Sequence, residues 1–159
     1  MTALVLGLGN LVHCDDGAGI RAVEGLQKEA LQIDSRVPRG VELLDGGTQG
    51  LSLLPHVSGV RRLMVLDAID AALPAGTVMR FEGDAFLGLP GKPSVHQWGF
   101  ADLMAALHLL DRFPGEIVVL GVQPGSTDWG TELTPPVRLA IPALIDCAIT
   151  QLQTWNAGA

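Results

Sequence analysis

Val5-Leu6-Gly7-Leu8-Gly9-Asn10-Leu11-Val12-His13-Cys14-Asp15-Asp16-Gly17 decides how this chain is read. The apolar run from Ala3 to Leu6 suits a strand buried on both faces. Gly7 and Gly9 permit a tight backbone turn after it. Asp15 and Asp16 stand where a helix begins, placed to cap its first free N–H groups. Strand, glycine turn and helix are the parts of an α/β unit, in which ligands gather at the carboxyl ends of parallel strands.

Outward from that stretch the alternation continues. Residues 17–31 read as a helix with Ile20, Val23, Leu26, Ala30 and Leu31 on its apolar stripe, interrupted by Gln27. A second strand, 41–44, runs into the glycine-rich turn Asp45-Gly46-Gly47-Thr48-Gln49-Gly50, and a short helix over 49–55 is expected to end at Pro55. Leu63 to Leu66 is a third buried strand, with Asp67 directly after it and Asp70 one turn later. Thr77 to Phe81 is a fourth. Only about ten residues separate it from the third, too few for a parallel crossover, so it is expected to run antiparallel. Residues 83–95 read as an exposed loop. Ser94-Val95-His96-Gln97 has the capping-box form that opens a helix, with Phe100, Leu103, Met104, Leu107 and Leu110 on the buried face. A fifth strand, 117–120, precedes a long loop over 123–134. A last helix starts near Pro135 and runs to Trp155, with Pro142 expected to kink it or delay its start. Its apolar face is Val137, Ile141, Leu144, Ile145, Ala148 and Leu152. The fold class is therefore α/β, a three-layer α/β/α sandwich around a five-stranded, mostly parallel twisted sheet with one antiparallel strand. Strand one lies between strands two and three, with Asp16 and Asp67 above the same crevice.

Composition narrows the function. A chain of 159 residues is expected to form one domain, 1–159, and to bury roughly 70% of its extended surface. A net charge of −7 argues against a nucleic-acid partner. Two cysteines, Cys14 and Cys147, are too few for a disulfide framework and fit a reducing compartment, so a cytoplasmic location is expected. The N-terminus has no basic region ahead of an apolar run, and no stretch is long and clean enough for membrane insertion.

Asp16, Asp67 and His96 each stand at the end of a strand or the start of a helix, where side chains converge on the carboxyl rim. Two carboxylates and an imidazole suit a divalent transition metal, and three protein ligands leave coordination positions open. A helix N-terminus favours neutral, ligating imidazole. The plainer reading makes Asp16 a cap, Asp67 a turn residue and His96 a surface histidine. Cys14 offers a thiolate nucleophile with His96 as its base, against the more common role of a small buried or loop cysteine. His13 shows no partner in the sequence, His108 flanks its helix stripe as a partly buried residue, and His56 reads as a loop residue. Gly7-Leu8-Gly9 lacks the third glycine of a dinucleotide fingerprint, since position 12 is Val12.

These pieces resemble the nickel–iron hydrogenase maturation endopeptidases. The resemblance rests on Gly7-Leu8-Gly9-Asn10 with Asp15-Asp16-Gly17, on Asp45 to Gly50, on Leu66-Asp67-Ala68-Ile69-Asp70, on His96-Gln97 and on Leu120-Gly121-Val122-Gln123-Pro124. Asp-Gly-Gly-Thr-Gln-Gly and Asp-Ala-Ile-Asp are nearest the uptake-hydrogenase branch. The resemblance implies an α/β/α fold with one antiparallel strand. It also implies an endopeptidase that removes the C-terminal peptide of the hydrogenase large-subunit precursor once nickel is inserted. Its metal positions fall on Asp16, Asp67 and His96, with nickel supplied by the precursor; the first is often glutamate in relatives. No catalytic nucleophile is designated, and Cys14 is not marked. The expected partner is the large-subunit precursor, and the expected state a monomer. Two rivals stand beside this reading. One is a peptidyl-tRNA hydrolase-like enzyme, which shares a Gly-Leu-Gly-Asn start but is disfavoured by the acidic charge. The other is a non-catalytic nickel-sensing or chaperone module.

Overall fold

The computed structural model describes residues 3–83 and 85–158, with Leu87 described by its backbone alone. Asp84, within the expected 83–95 loop, lies outside the described residues. Five strands, β1 (Ala3–Leu8), β2 (Val41–Gly47), β3 (Arg62–Ala68), β4 (Val78–Glu82) and β5 (Glu116–Val122), form one sheet in the order β2-β1-β3-β5-β4. β1 pairs in parallel with β2 and β3, and β3 with β5; β4 joins β5 antiparallel at the edge. Among the described residues four α-helices complete the fold: α1 (Ala18–Ala30), α2 (Leu54–Val57), α3 (Val95–Leu109) and α4 (Pro135–Ala157).

Side-chain alternation explains the layers. Because successive residues of a strand face opposite ways, an all-apolar central strand must be covered twice. Val5, Met64, Leu66, Val118 and Leu120 face one way, against Val23 and Leu26 of α1 and Leu144, Ala148 and Leu152 of α4. Leu4, Leu6, Leu63, Val65 and Val119 face the other, against Leu53, Val57 and the α3 residues Phe100, Leu103 and Leu107. The result is the expected three-layer α/β arrangement with one antiparallel strand. Among the described residues no helix is long and apolar enough to cross a membrane.

Several local expectations are corrected. Pro55 lies at the start of α2, not at the end of a helix; a 3-10 turn over Gly50–Leu53 precedes it, and a proline is accommodated in a first turn because the N–H it lacks has no partner there anyway. α1 begins at Ala18, and its last turn leaves the core, so Ala30 and Leu31 are exposed. Leu110, the residue after α3, and His108 are also exposed; the His108 ring stacks on Phe113 at 3.8 Å. α4 runs unbroken through Pro142, which lies on its exposed side. The 83–95 loop is not wholly exposed, because Phe86 is buried against the Phe100 ring at 5.7 Å.

Two glycines set the geometry of the carboxyl rim. Gly9 adopts φ of 140°, and a Cβ there would overlap the Asp16 carbonyl oxygen. Gly19, in the first turn of α1, has the carbonyl oxygens of Leu8 and Leu66 where its Cβ would be. α1 therefore starts hard against the ends of β1 and β3. These two strands flank the point where connections leave the sheet on opposite faces, which is where α/β folds open a crevice.

Candidate functional site

Each candidate residue is placed by a different element. Asp16 stands in a 3-10 turn over Cys14–Gly17 that follows β1, pinned by Asp16 N–H donating to His13 O at 3.1 Å and Asn10 N–H donating to Asp16 O at 3.3 Å. Asp67 is the penultimate residue of β3, which runs two residues beyond the expected Leu66. His96 is in the first turn of α3. All three are buried, Asp67 completely.

They form a row with the imidazole in the middle. His96 Nε2 lies 2.7 Å from Asp67 Oδ1, and His96 Nδ1 lies 3.5 Å from Asp16 Oδ2. Ser94 Oγ sits 2.9 Å from Nδ1 and 3.0 Å from Nε2. The plainer sequence reading, with His96 on the surface and Asp67 in a turn, is overturned: these groups are buried and in contact. They do not encircle a common point, and among the described residues no three His, Cys, Asp or Glu side chains stand at metal-holding geometry. A cleft of about 430 Å³ opens over the row, bounded by Asp16 and His96, by Thr48 of the glycine-rich turn and by Gly125 to Thr127. Asp67 is not on its surface; it stands behind His96.

The row holds a proton. Burial works against charge on His96, but the Asp67 charge and the hydrogen bonds to Asp16 and Asp67 outweigh it and push its pKa up to about 10. Burial raises the Asp67 carboxyl above the usual range, more than His96 and Gln97 lower it. Both directions say the same thing: the pair keeps its proton to higher pH than either group would in water. The expectation that the α3 dipole leaves His96 neutral is therefore corrected, since two adjacent carboxylates outweigh the field of a helix end.

Gln97 does more than cap. Its Oε1 accepts from Ser94 N–H at 2.9 Å, and its Nε2 donates to Asp67 Oδ2 at 3.3 Å and to Ala68 O at 3.2 Å. This leaves Asp67 hydrogen-bonded on both oxygens. Gln123, just past β5, accepts from Ala71 N–H at 2.8 Å and Leu73 N–H at 3.2 Å, and donates to Asp70 Oδ1 at 3.1 Å. Asp70 is held below the usual carboxylate range, first by Ala72 N–H and then by Gln123 and Lys92. The signal for Gln123 was its place at a strand's carboxyl end, the same signal that singled out Asp67.

Asp15 is not the helix cap expected. Its buried carboxylate accepts from Gly125 N–H at 2.8 Å, Ser126 N–H at 3.0 Å and Thr134 N–H at 2.7 Å, and from Thr134 Oγ at 2.6 Å. It thereby ties the 123–134 loop over the β1 end. Asp16 makes no cap bond either, because it is turned toward His96. Cys14, half-buried with φ of 48°, donates its N–H to Gly130 O at 2.8 Å. Among the described residues the thiol is not a partner of His96, whose nitrogens meet Ser94, Asp16 and Asp67. His13 gains partners: its Nδ1 lies 3.2 Å from Thr127 O, and its ring packs on Trp129 at 4.3 Å.

Known proteins resemble this chain in sequence and in fold. Residues 20–151 match the family model described as HycI, hydrogenase maturation protease. The hydrogenase expression/formation protein HupD of Rhizobium leguminosarum bv. viciae is 42% identical over 156 residues, covering 96% of this chain and 75% of that protein. The hydrogenase 2 maturation protease of Escherichia coli is 35% identical over 155 residues, 96% of this chain and 92% of that one. The solved structure of the hydrogenase maturating endopeptidase HybD from E. coli superposes with a TM-score of 0.86 at 34% identity, covering 97% of this chain and 93% of that chain.

Proposed function

The chain belongs to the hydrogenase maturation protease family, a family of peptidases, and from that premise we propose that it removes the C-terminal peptide of a nickel-loaded hydrogenase large-subunit precursor. The observation that supports this most directly is the Asp16–His96–Asp67 row, with Asp16 and His96 lining a cleft of about 430 Å³ and Asp67 behind the imidazole. Nickel enters as part of the substrate, held by the precursor's own ligands. Asp16 and His96 face the cleft and are proposed to meet it; Asp67, with both oxygens hydrogen-bonded, sets the imidazole and is the third proposed ligand once His96 moves off it. Carboxylate and imidazole donors suit a divalent first-row metal. For His96 to ligate, its proton leaves to solvent and the freed nitrogen lone pair binds nickel.

Family membership disfavours both rivals, the peptidyl-tRNA hydrolase-like enzyme and the non-catalytic nickel module. Action in the cytoplasm, for which the two unpaired cysteines Cys14 and Cys147 speak, and a monomeric state complete the proposal. The test is incubation with nickel-loaded and nickel-free precursor, followed on a denaturing gel. Conversion of the loaded precursor alone to its shorter form is the expected result. Equal cleavage of both removes the role of nickel, and stable binding without cleavage returns the non-catalytic module.

A further inference from the structure

A second, smaller hollow opens beside the cleft. It holds about 110 Å³, is walled by Ile69, Phe86, Trp98 and Ala101, and shares Asp70, Lys92, Pro93 and Gln97 with the cleft. Cofactor-sized ligands need roughly 300 Å³ or more, so this space fits a single side chain. Its floor is firm: Ile69 and Phe86 are buried in the α3-side core. Its rim is Trp98, 65% exposed, a large apolar ring left in water. Gln97 is part of the shared wall, and the same side chain holds Asp67 by hydrogen bond. Whatever fills the hollow is therefore one residue away from the row.

We infer that this hollow is a side-chain subsite that takes one aliphatic or aromatic residue of the precursor polypeptide beside the cleaved bond, and so sets the register in which the chain is cut. A polypeptide in the cleft passes the opening shared by Asp70, Lys92, Pro93 and Gln97, beyond which an apolar side chain finds the Ile69, Phe86 and Ala101 walls and a neighbouring indole, while its backbone stays over Asp16 and His96. The inference rests on the peptidase reading and adds its sequence preference.

Ala101→Phe fills the hollow without touching Asp16, Asp67 or His96, and Trp98→Ala removes the exposed rim with little risk to folding. With nickel-loaded precursor, Ala101→Phe is expected to raise KM roughly tenfold or more, the scale of losing one apolar contact in a pocket, and Trp98→Ala to raise it several-fold. An alanine scan of apolar precursor residues around the cleavage point should find one replacement with the same effect on the wild-type enzyme and no added effect on Ala101→Phe, the non-additivity of a shared contact. Folded variants with unchanged KM, or full additivity at every precursor position, overturn the subsite while leaving the peptidase reading intact. A concentration-dependent dimer in ultracentrifugation that Ala101→Phe abolishes assigns the hollow to a second copy and overturns it too. Absence of cleavage by the wild-type protein brings down the peptidase reading, and the subsite with it.

Discussion

His96 lies between two carboxylates, and the neutral imidazole that a metal requires is its minority form near neutral pH. The folded protein holds that proton to about pH 10, against 6.5 for the ordinary imidazole. The stabilisation this proton gives the fold is complete below about 6.5 and is lost as pH rises through 10. Thermal melting should therefore fall across that window in the wild type and fall less in His96→Gln. Affinity for the nickel-loaded precursor should move the opposite way, rising with pH as the proton becomes easier to displace, which binding assays at several pH values check. Asp67→Asn, which keeps the shape but loses the charge, and His96→Ala should each lower cleavage on the order of 100-fold, a scale set by metal-site partners, with circular dichroism unchanged. Cys14→Ser should cleave at near the wild-type rate; complete loss in a well-folded variant would restore the thiol mechanism. At this scale the convergence of Asp16, Asp67 and His96 was legible because each ends a strand or begins a helix. Their protonation was not, because it depends on distances between elements.

Among the elements, the 123–134 loop depends most on a single residue. Asp15 satisfies four donors from that loop with one buried carboxylate. Removing it leaves buried N–H groups unpaired, each at about 1–3 kcal/mol. Asp15→Ala should therefore lower stability by about 3 kcal/mol in urea titration, and hydrogen exchange at Gly125, Ser126 and Thr134 should accelerate well before the sheet opens. Strands and main helices were readable from period and punctuation, since all-apolar runs such as Leu63 to Leu66 have no other stable place than a covered sheet. Asp16 was singled out, but the loop-holding role of the adjacent Asp15 was not readable. Both precede a helix, both read as caps, and only a loop more than a hundred residues later distinguishes the structural carboxylate from the one facing the cleft.

Across the whole molecule, the sheet order puts residues 16, 67 and 96 at one crevice, and that convergence followed from the predicted position of β1 between β2 and β3. The hollow beside the cleft was not legible, because Phe86 and Trp98 come from a loop and a helix face that only packing brings together. With the proton occupying its row, the free protein should hold nickel weakly. Calorimetric titration with a nickel salt should show loose binding, and treating the protease with a chelator should leave its activity intact, whereas stripping nickel from the precursor should abolish cleavage. Asp15's bonds to the late loop reach across 110 to 119 residues, which also orders events on the ribosome. Once Val122 has emerged, every strand exists and so do Asp16, Asp67 and His96. The wall over the cleft closes only when Thr134 arrives to answer a carboxylate made at the start of synthesis. A copy that stops short of residue 134 thus carries all three residues of the row without the tie that holds the loop beside them, and the sheet face that α4 covers is closed later still.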